Sequence, residues 1–239
     1  MSCIRRYEWV NTYTLELELE DSRLRLYFME SGLIRCRYVT GAVFENIPSY
    51  GISPEYRPLK VEVEESETRE YHELCTARLI LRIRKKDAGL VFLDRESGRV
   101  LCEDAEGMGH RLQERTGDQL VWVLKHMPPL AHFFGLGDKP CTLNMRGRRF
   151  EMWGSDHYKF HPESDPLYKS IPFFLCLNRG KQYGIFFDNT MRSYFDFGKE
   201  RPDRLLFGAD GGVMDYYFIS GANALDTVQM YTRLTGRPP

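Results

Sequence analysis

Three carboxylates and two histidines crowd one short stretch, residues 153–166, which reads Trp-Gly-Ser-Asp-His-Tyr-Lys-Phe-His-Pro-Glu-Ser-Asp-Pro. Asp156, Glu163 and Asp165 are the acids, and His157 and His161 lie four apart. Two carboxyl groups about 5–5.5 Å apart on opposite sides of a glycosidic carbon would cleave it with retention. Two imidazoles at this spacing suit one helix face and a shared metal. Pro162 and Pro166 instead make the stretch a loop, and no cysteine or carboxylate completes a ligand set, so the histidines read as solvated loop residues. Carboxylates this close in sequence more often cap turns, and Asp165, directly before Pro166, fits that role. Asp156 follows Trp153 and has no evident turn partner, which makes it the better ligand candidate.

The residues just upstream carry weaker signals. Gly135-Leu136-Gly137 lacks the third glycine and the strand-turn-helix setting of a dinucleotide site, and reads as a bend where backbones approach closely. Asp138-Lys139 follows as an expected surface pair of little energetic weight. The chain has no G-x-S-x-G elbow and no P-loop. A mutarotase-type site would need a histidine base and a glutamate in one cleft; the composition permits this and no spacing selects it.

Strands must position these residues. Leu-Glu-Leu-Glu-Leu-Glu at 15–20 sets leucines on one face and carboxylates on the other, the mark of a half-buried strand. Segments 23–29 and 33–39 follow, joined by Glu30-Ser31-Gly32 as a hairpin, and 41–60 reads as a loop. In 76–84, Leu79, Leu81 and Ile83 point inward and Arg78, Arg82 and Arg84 outward; 90–94 and 99–101 continue the meander. Further strands are expected at 119–124, 172–177, 182–187, 191–197, 204–208 and 214–219. One helix is expected, capped by Asn223 and running over 224–234, where Leu225, Val228 and Tyr231 recur three apart. The pattern predicts an all-β protein, a large antiparallel β-sandwich.

The 239 residues can bury a full core without a disulfide or metal, and no motif calls for a cofactor. Thirty-three basic against 34 acidic residues leave a net charge of −1, which offers nothing to nucleic acid or an anionic membrane, and no apolar run has the length of a membrane-spanning helix. The six cysteines (Cys3, Cys36, Cys75, Cys102, Cys141 and Cys176) stand singly, at no metal or redox spacing. With no signal-peptide core after Met1, they read as reduced thiols of a cytoplasmic protein. The aromatic share of 13% is high and is read as core packing, with a sugar-stacking surface as the alternative.

Six segments in order, FFGLGDK (133–139), LNMRGRRFEMW (143–153), DPLYKSIPFF (165–174), YGIFFDNTMRSYFDFG (183–198), FGADGGVMDYYFISG (207–221) and YTRLTGRPP (231–239), resemble the amino-terminal domain of family 31 glycoside hydrolases, the α-glucosidase and α-xylosidase family. The likeness covers roughly 130–239; residues 1–130 resemble the family less sharply. It implies a galactose-mutarotase-like supersandwich over 1–221, with 222–239 as a helical linker to a catalytic (β/α)₈ barrel absent from this chain. The catalytic aspartates would lie in that barrel, so no residue here is expected to be catalytic. The implied partners are the barrel and an α-glucoside or related oligosaccharide. Asp156, in Trp153-Gly154-Ser155-Asp156, would contact the sugar on the leaving-group side, with Trp153 as its support, and Arg146, Arg148 and Arg149 would be structural. Strands 183–187 and 191–197 and the helix are expected to present an apolar docking patch. Two other readings stay open: a self-standing carbohydrate-binding module, which would show a flat row of exposed aromatics, and a mutarotase-like enzyme.

Overall fold

The computed structural model describes residues 4–41, 43–44, 48–113 and 117–237; Cys3 and part of the 41–60 loop lie outside them. Eighteen strands and one helix are found among the described residues. In chain order they are β1 (Arg6–Asn11), β2 (Thr14–Glu18), β3 (Ser22–Glu30), β4 (Leu33–Thr40), β5 (Glu64–Glu67) and β6 (Tyr71–Cys75). Then come β7 (Leu79–Arg84), β8 (Leu90–Asp94), β9 (Val100–Glu103), β10 (Gly109–Leu112), β11 (Gln119–His126) and β12 (His132–Gly137). The last are β13 (Arg149–Met152), β14 (Ser170–Asn178), β15 (Lys181–Phe187), β16 (Ser193–Asp196), β17 (Arg204–Ala209), β18 (Met214–Ile219) and α1 (Ala224–Thr235).

An eight-stranded sheet runs β1-β2-β3-β4-β18-β15-β14-β12. Facing it are two five-stranded sheets, β5-β6-β7-β8-β9 and β10-β11-β17-β16-β13. One core draws side chains from all three. Period-2 alternation builds it. In β3, Leu24, Leu26 and Phe28 are buried, while Arg23 and Arg25 on the other face bind Glu16 of β2 at 2.9 and 2.5 Å. Aromatics fill the centre: Phe92 stacks on Phe218 at 3.9 Å, and Phe133 on Phe197 at 4.7 Å. Each such ring contributes about 1.5–3 kcal/mol by burial, so the aromatic share is spent mainly on the core.

The two smaller sheets join through charge. Asp104, just after β9, bridges Lys125 of β11, and both side chains are fully buried with Nζ 2.5 Å from Oδ1. Asp104 Oδ2 also accepts the Leu90 amide at 2.9 Å, and the ammonium faces the rings of Phe92 and Tyr216. Burial alone disfavours the Lys125 ammonium, but the Asp104 carboxylate outweighs it and holds the lysine pKa above its ordinary value.

Alternation misplaces one residue. Arg84 was expected to face outward; it is buried, donating to Asp87 at 3.0 Å and to the Asp104 carbonyl at 2.8 Å. The expected docking patch is also corrected. Tyr183, Ile185, Phe187, Phe195 and Phe197 all belong to the central core. The outer face of the large sheet, with Phe173 and Phe186, lies under α1. Strands covered on both faces read as unbroken apolar runs. Asn223 caps the helix by accepting from the Asp226 amide at 3.0 Å, and Asp226 in return accepts the Ala222 amide at 2.7 Å. Tyr231 stacks on Phe173 at 3.9 Å, and Arg233 reaches the buried Glu30 at 2.6 Å. Gly184 permits this approach: a Cβ there would lie 2.6 Å from the Phe173 ring and 3.3 Å from Thr227.

Lys125→Met leaves a buried carboxylate without its cation and is expected to cost about 3–5 kcal/mol in urea unfolding. Adding Asp104→Asn removes the orphan charge while keeping an acceptor for the Leu90 amide, so the double variant should be more stable than Lys125→Met alone. Because the folded pKa of Lys125 is raised, the pair's contribution is full below the unfolded value of about 10.4 and is lost only as pH rises through the raised value.

Candidate functional site

The segment rich in functional residues crosses from one layer to the other. β13 is the edge strand of a small sheet, whereas β14 belongs to the large sheet, so residues 153–169 span the end of the sandwich. Phe150 and Met152 anchor β13 in the core, while Arg149 and Glu151 face out. Upstream, β12 is pinned to β14 through a register shift between Gly135 and Gly137. A Cβ on Gly135 would lie 2.4 Å from the Phe173 carbonyl, and one on Gly137 2.7 Å from that of Lys169, so the close approach expected there is observed. Arg146 donates to the carbonyls of Pro128 (2.9 Å) and Ala131 (3.1 Å), and Arg149 pairs with Glu200.

Asp156 is exposed, and among the described residues none partners its carboxylate. Trp153 is 49% exposed and lines a hollow of about 310 Å³ with Gly154, Asn189 and Met191. Asp156 is not among the residues lining that hollow. Three more aromatics stand out on the same segment: Tyr158 is 90% exposed, Phe160 58% and Tyr168 53%. Within the segment, Ser164 Oγ accepts the His161 amide at 3.0 Å and Tyr168 donates its hydroxyl to the His157 carbonyl at 2.8 Å. His161 Nδ1 is occupied by the Glu163 amide at 3.2 Å, and among the described residues no cluster of metal-ligating side chains forms.

Two upstream expectations change. Lys139 does not pair on the surface with Asp138; it is 1% exposed and binds Asp165 at 2.5 Å, while Asp138 faces Lys169 at 3.4 Å. Asp165 is therefore no simple turn residue. Its second oxygen accepts the Glu151 amide at 2.6 Å, so both oxygens are engaged within the chain. No sequence signal marked this pair, because Lys139 and Asp165 are far apart in the chain and neither sits in an alternating segment.

Beside the segment lies a groove of about 600 Å³, lined among others by Arg148, Glu151, Glu163, Arg192, Tyr194 and Asp210. Glu151 pairs with Arg192 and holds that guanidinium above its ordinary pKa. Burial raises the Tyr194 phenol, and Arg149 lies over its ring at 5.3 Å. The walls alternate donors and acceptors of both signs. Among the described residues no histidine lines this groove with its glutamates: His110 meets the Tyr38 hydroxyl at 2.6 Å, and His72 stacks under Tyr7 near Glu67, away from it.

A family model described as the glycosyl hydrolase 31 N-terminal galactose mutarotase-like domain matches residues 23–196. The chain belongs to this family. Alpha-glucosidase 2 of Bacillus thermoamyloliquefaciens is 37% identical over 183 residues, covering 76% of this chain and 22% of that protein. Alpha-xylosidase XylQ of Lactiplantibacillus pentosus is 33% identical over 103 residues, 43% of this chain and 13% of that protein. The family 31 dextranase of Flavobacterium johnsoniae, solved in complex with isomaltotriose, matches all of this chain and 28% of its own with a TM-score of 0.86 at 30% identity. The matched part thus makes up only 13–28% of the length of these relatives. Its antiparallel sandwich is the N-terminal domain fold of a glycoside hydrolase family.

Asp156→Ala removes no internal partner and should change the chain's unfolding free energy by less than about 0.5 kcal/mol. A loss of about 0.5–2 kcal/mol would instead mark Asp156 as a turn or helix cap.

Proposed function

We propose that this chain serves as the non-catalytic N-terminal sandwich of an α-glucosidase-like family 31 enzyme. It docks a catalytic (β/α)₈ barrel and lends the 153–165 loop to the sugar site. Asp156 accepts a hydrogen bond from a sugar hydroxyl, and Trp153 supports the loop beside it. The barrel supplies the two carboxylates that cleave an α-glycosidic bond with retention. The observation that carries the reading is Asp156 itself, a carboxylate held out on a loop and without a partner among the described residues.

Further support comes from the four exposed aromatics around it, Trp153, Tyr158, Phe160 and Tyr168. They sit on a loop at the end of the sandwich, where neither sheet nor α1 covers them. Exposed apolar clusters of this kind mark surfaces that another body covers. This end, rather than the faces of β15 and β16, is the docking surface. The buried free thiols Cys36, Cys102 and Cys176 suit a reducing compartment such as the cytoplasm.

The chain by itself is expected to release no nitrophenol from a nitrophenyl α-glucoside above a buffer blank. In a polypeptide that joins it to a family 31 barrel, Asp156→Ala should lower kcat/KM roughly 10- to 150-fold, the loss of one charge-assisted hydrogen bond. Unchanged kinetics in that variant would sink the assignment.

A further inference from the structure

The edge of β13 is completed by side chains rather than by another strand. Glu151 lies opposite Tyr194 of β16, and among the described residues no strand pairs with β13 on its other side. The Glu151 carbonyl accepts from Lys139 Nζ at 2.7 Å, and its amide donates to Asp165 Oδ2 at 2.6 Å. Lys139 Nζ and Asp165 Oδ1 then close the ring at 2.5 Å. An open strand edge would otherwise bind water or a foreign strand. Here one ammonium and one carboxylate satisfy both free groups of a single peptide residue and also each other.

The consequence falls on the loop. Glu151 stands two residues before Trp153, and Asp165 follows Ser164. The contact therefore ties the two ends of 153–164 together and closes it as an Ω-type loop. Among the described residues, the other polar contacts of 153–164 are made within the loop or with Tyr168, not with the sheets. Lys139, 1% exposed and over the Phe150 ring at 5.8 Å, has little room to move. The latch is thus fixed at its cationic side and reaches the loop through its anionic side.

We propose that Lys139 and Asp165 are positioning residues, a latch on the free edge of β13 that holds the 153–164 loop in the arrangement that presents Asp156. The proposal rests on the reading of Asp156 as a sugar contact, and it can fail separately from it.

The test uses chymotrypsin on the native chain, because Tyr158 and Phe160 are exposed aromatic cleavage sites within the loop. Asp165→Asn and Lys139→Met should each speed cleavage there at least ~10-fold through local opening. Either change also leaves one charge of the pair without its counter-charge, so global stability is followed separately by urea. The double variant Lys139→Met/Asp165→Leu refills the site with apolar volume; its urea midpoint should move back toward that of the parent while loop cleavage stays fast. A merely structural pair would restore both together, and that result would overturn the latch. So would parent-like cleavage in both single variants.

A second arm uses the barrel-joined polypeptide. Asp165→Asn should lower kcat/KM in the same direction as Asp156→Ala, and the two changes combined should be no worse than Asp156→Ala alone. If Asp156→Ala is silent, the sugar-contact reading fails and the cleavage arm still decides the latch. If Asp156→Ala lowers kcat/KM while Asp165→Asn leaves both cleavage and kinetics unchanged, the latch is wrong.

Discussion

The buried Lys125–Asp104 pair is the constraint on which the rest of this sandwich depends. The large sheet has eight strands, but the layer opposite is made of two separate five-stranded pieces. Asp104 hangs from the end of one and Lys125 stands in the second strand of the other, and the Ala105 amide donates to the Leu124 carbonyl beside them at 2.8 Å. Two charges taken out of water must be satisfied nearly in full or they cost several kcal/mol each. That requirement admits very few relative placements of the two sheets, whereas an apolar seam would tolerate sliding. Register then passes outward from Lys125: β11 pairs with β17, β17 with β16 and β16 with β13. The edge strand that leads into the 153–164 loop is therefore placed, three pairings away, by a salt bridge in the core.

The same logic of completing polar groups recurs at the periphery with different parts. At the helix end, Asn223 accepts the Asp226 amide and Asp226 accepts that of Ala222. On the outer face of the large sheet, buried Glu30 is met by Arg233 and by the Tyr56 hydroxyl at 3.1 Å, which fastens both the helix and the proline-containing loop to β3. At the edge of β13, Lys139 and Asp165 do the work of a missing strand. The last two devices join segments distant in sequence. Together they leave the end of the sandwich at 153–164 as a place where Asp156, Tyr158 and Phe160 point into water.

How much of this was legible in the sequence varied with the number of faces a segment buries. Half-buried strands such as 15–20 and 79–84 announced themselves through alternation, and the Asn223 cap and its helix were readable from local chemistry. β14, β15 and β18 are covered on both sides, so their apolar runs carried no sign of which side chains met the core and which met α1. That ambiguity produced the misplaced docking patch at β15, while at and just after β16 the aromatics Phe195 and Phe197 fill the core instead. β13 went unread because four residues flanked by arginines give too short a period, although Phe150 and Met152 alternate correctly. Asp156 was singled out because it lacked a turn partner and because the resemblance placed a substrate contact there. Lys139 and Asp165 were not read as partners, since a long-range ion pair leaves no periodic trace in the chain.

If 153–164 presents Asp156 to a sugar, as proposed, magnitudes explain why the loop would need a latch. Ordering a flexible residue costs roughly 1–2 kcal/mol of backbone entropy. A charge-assisted hydrogen bond to one sugar hydroxyl returns about 1.5–3 kcal/mol. A loop as long as 153–164 that became ordered only when sugar arrived would exhaust such a contact several times over. The ordering must therefore be complete before the sugar binds, when it is carried by the folding of the whole sandwich rather than by one weak ligand contact. Closing the loop at its two ends is the most economical way to reach that state, because it shortens the free segment at the point where both ends already touch the sheet. The same reasoning accounts for a charged latch over an apolar one. An apolar plug would fill the space but leave the Glu151 amide and carbonyl unpaired and the loop ends untied, while a carboxylate bound at once to an ammonium and to a backbone amide has one geometry, which on the proposed reading Asp156 inherits.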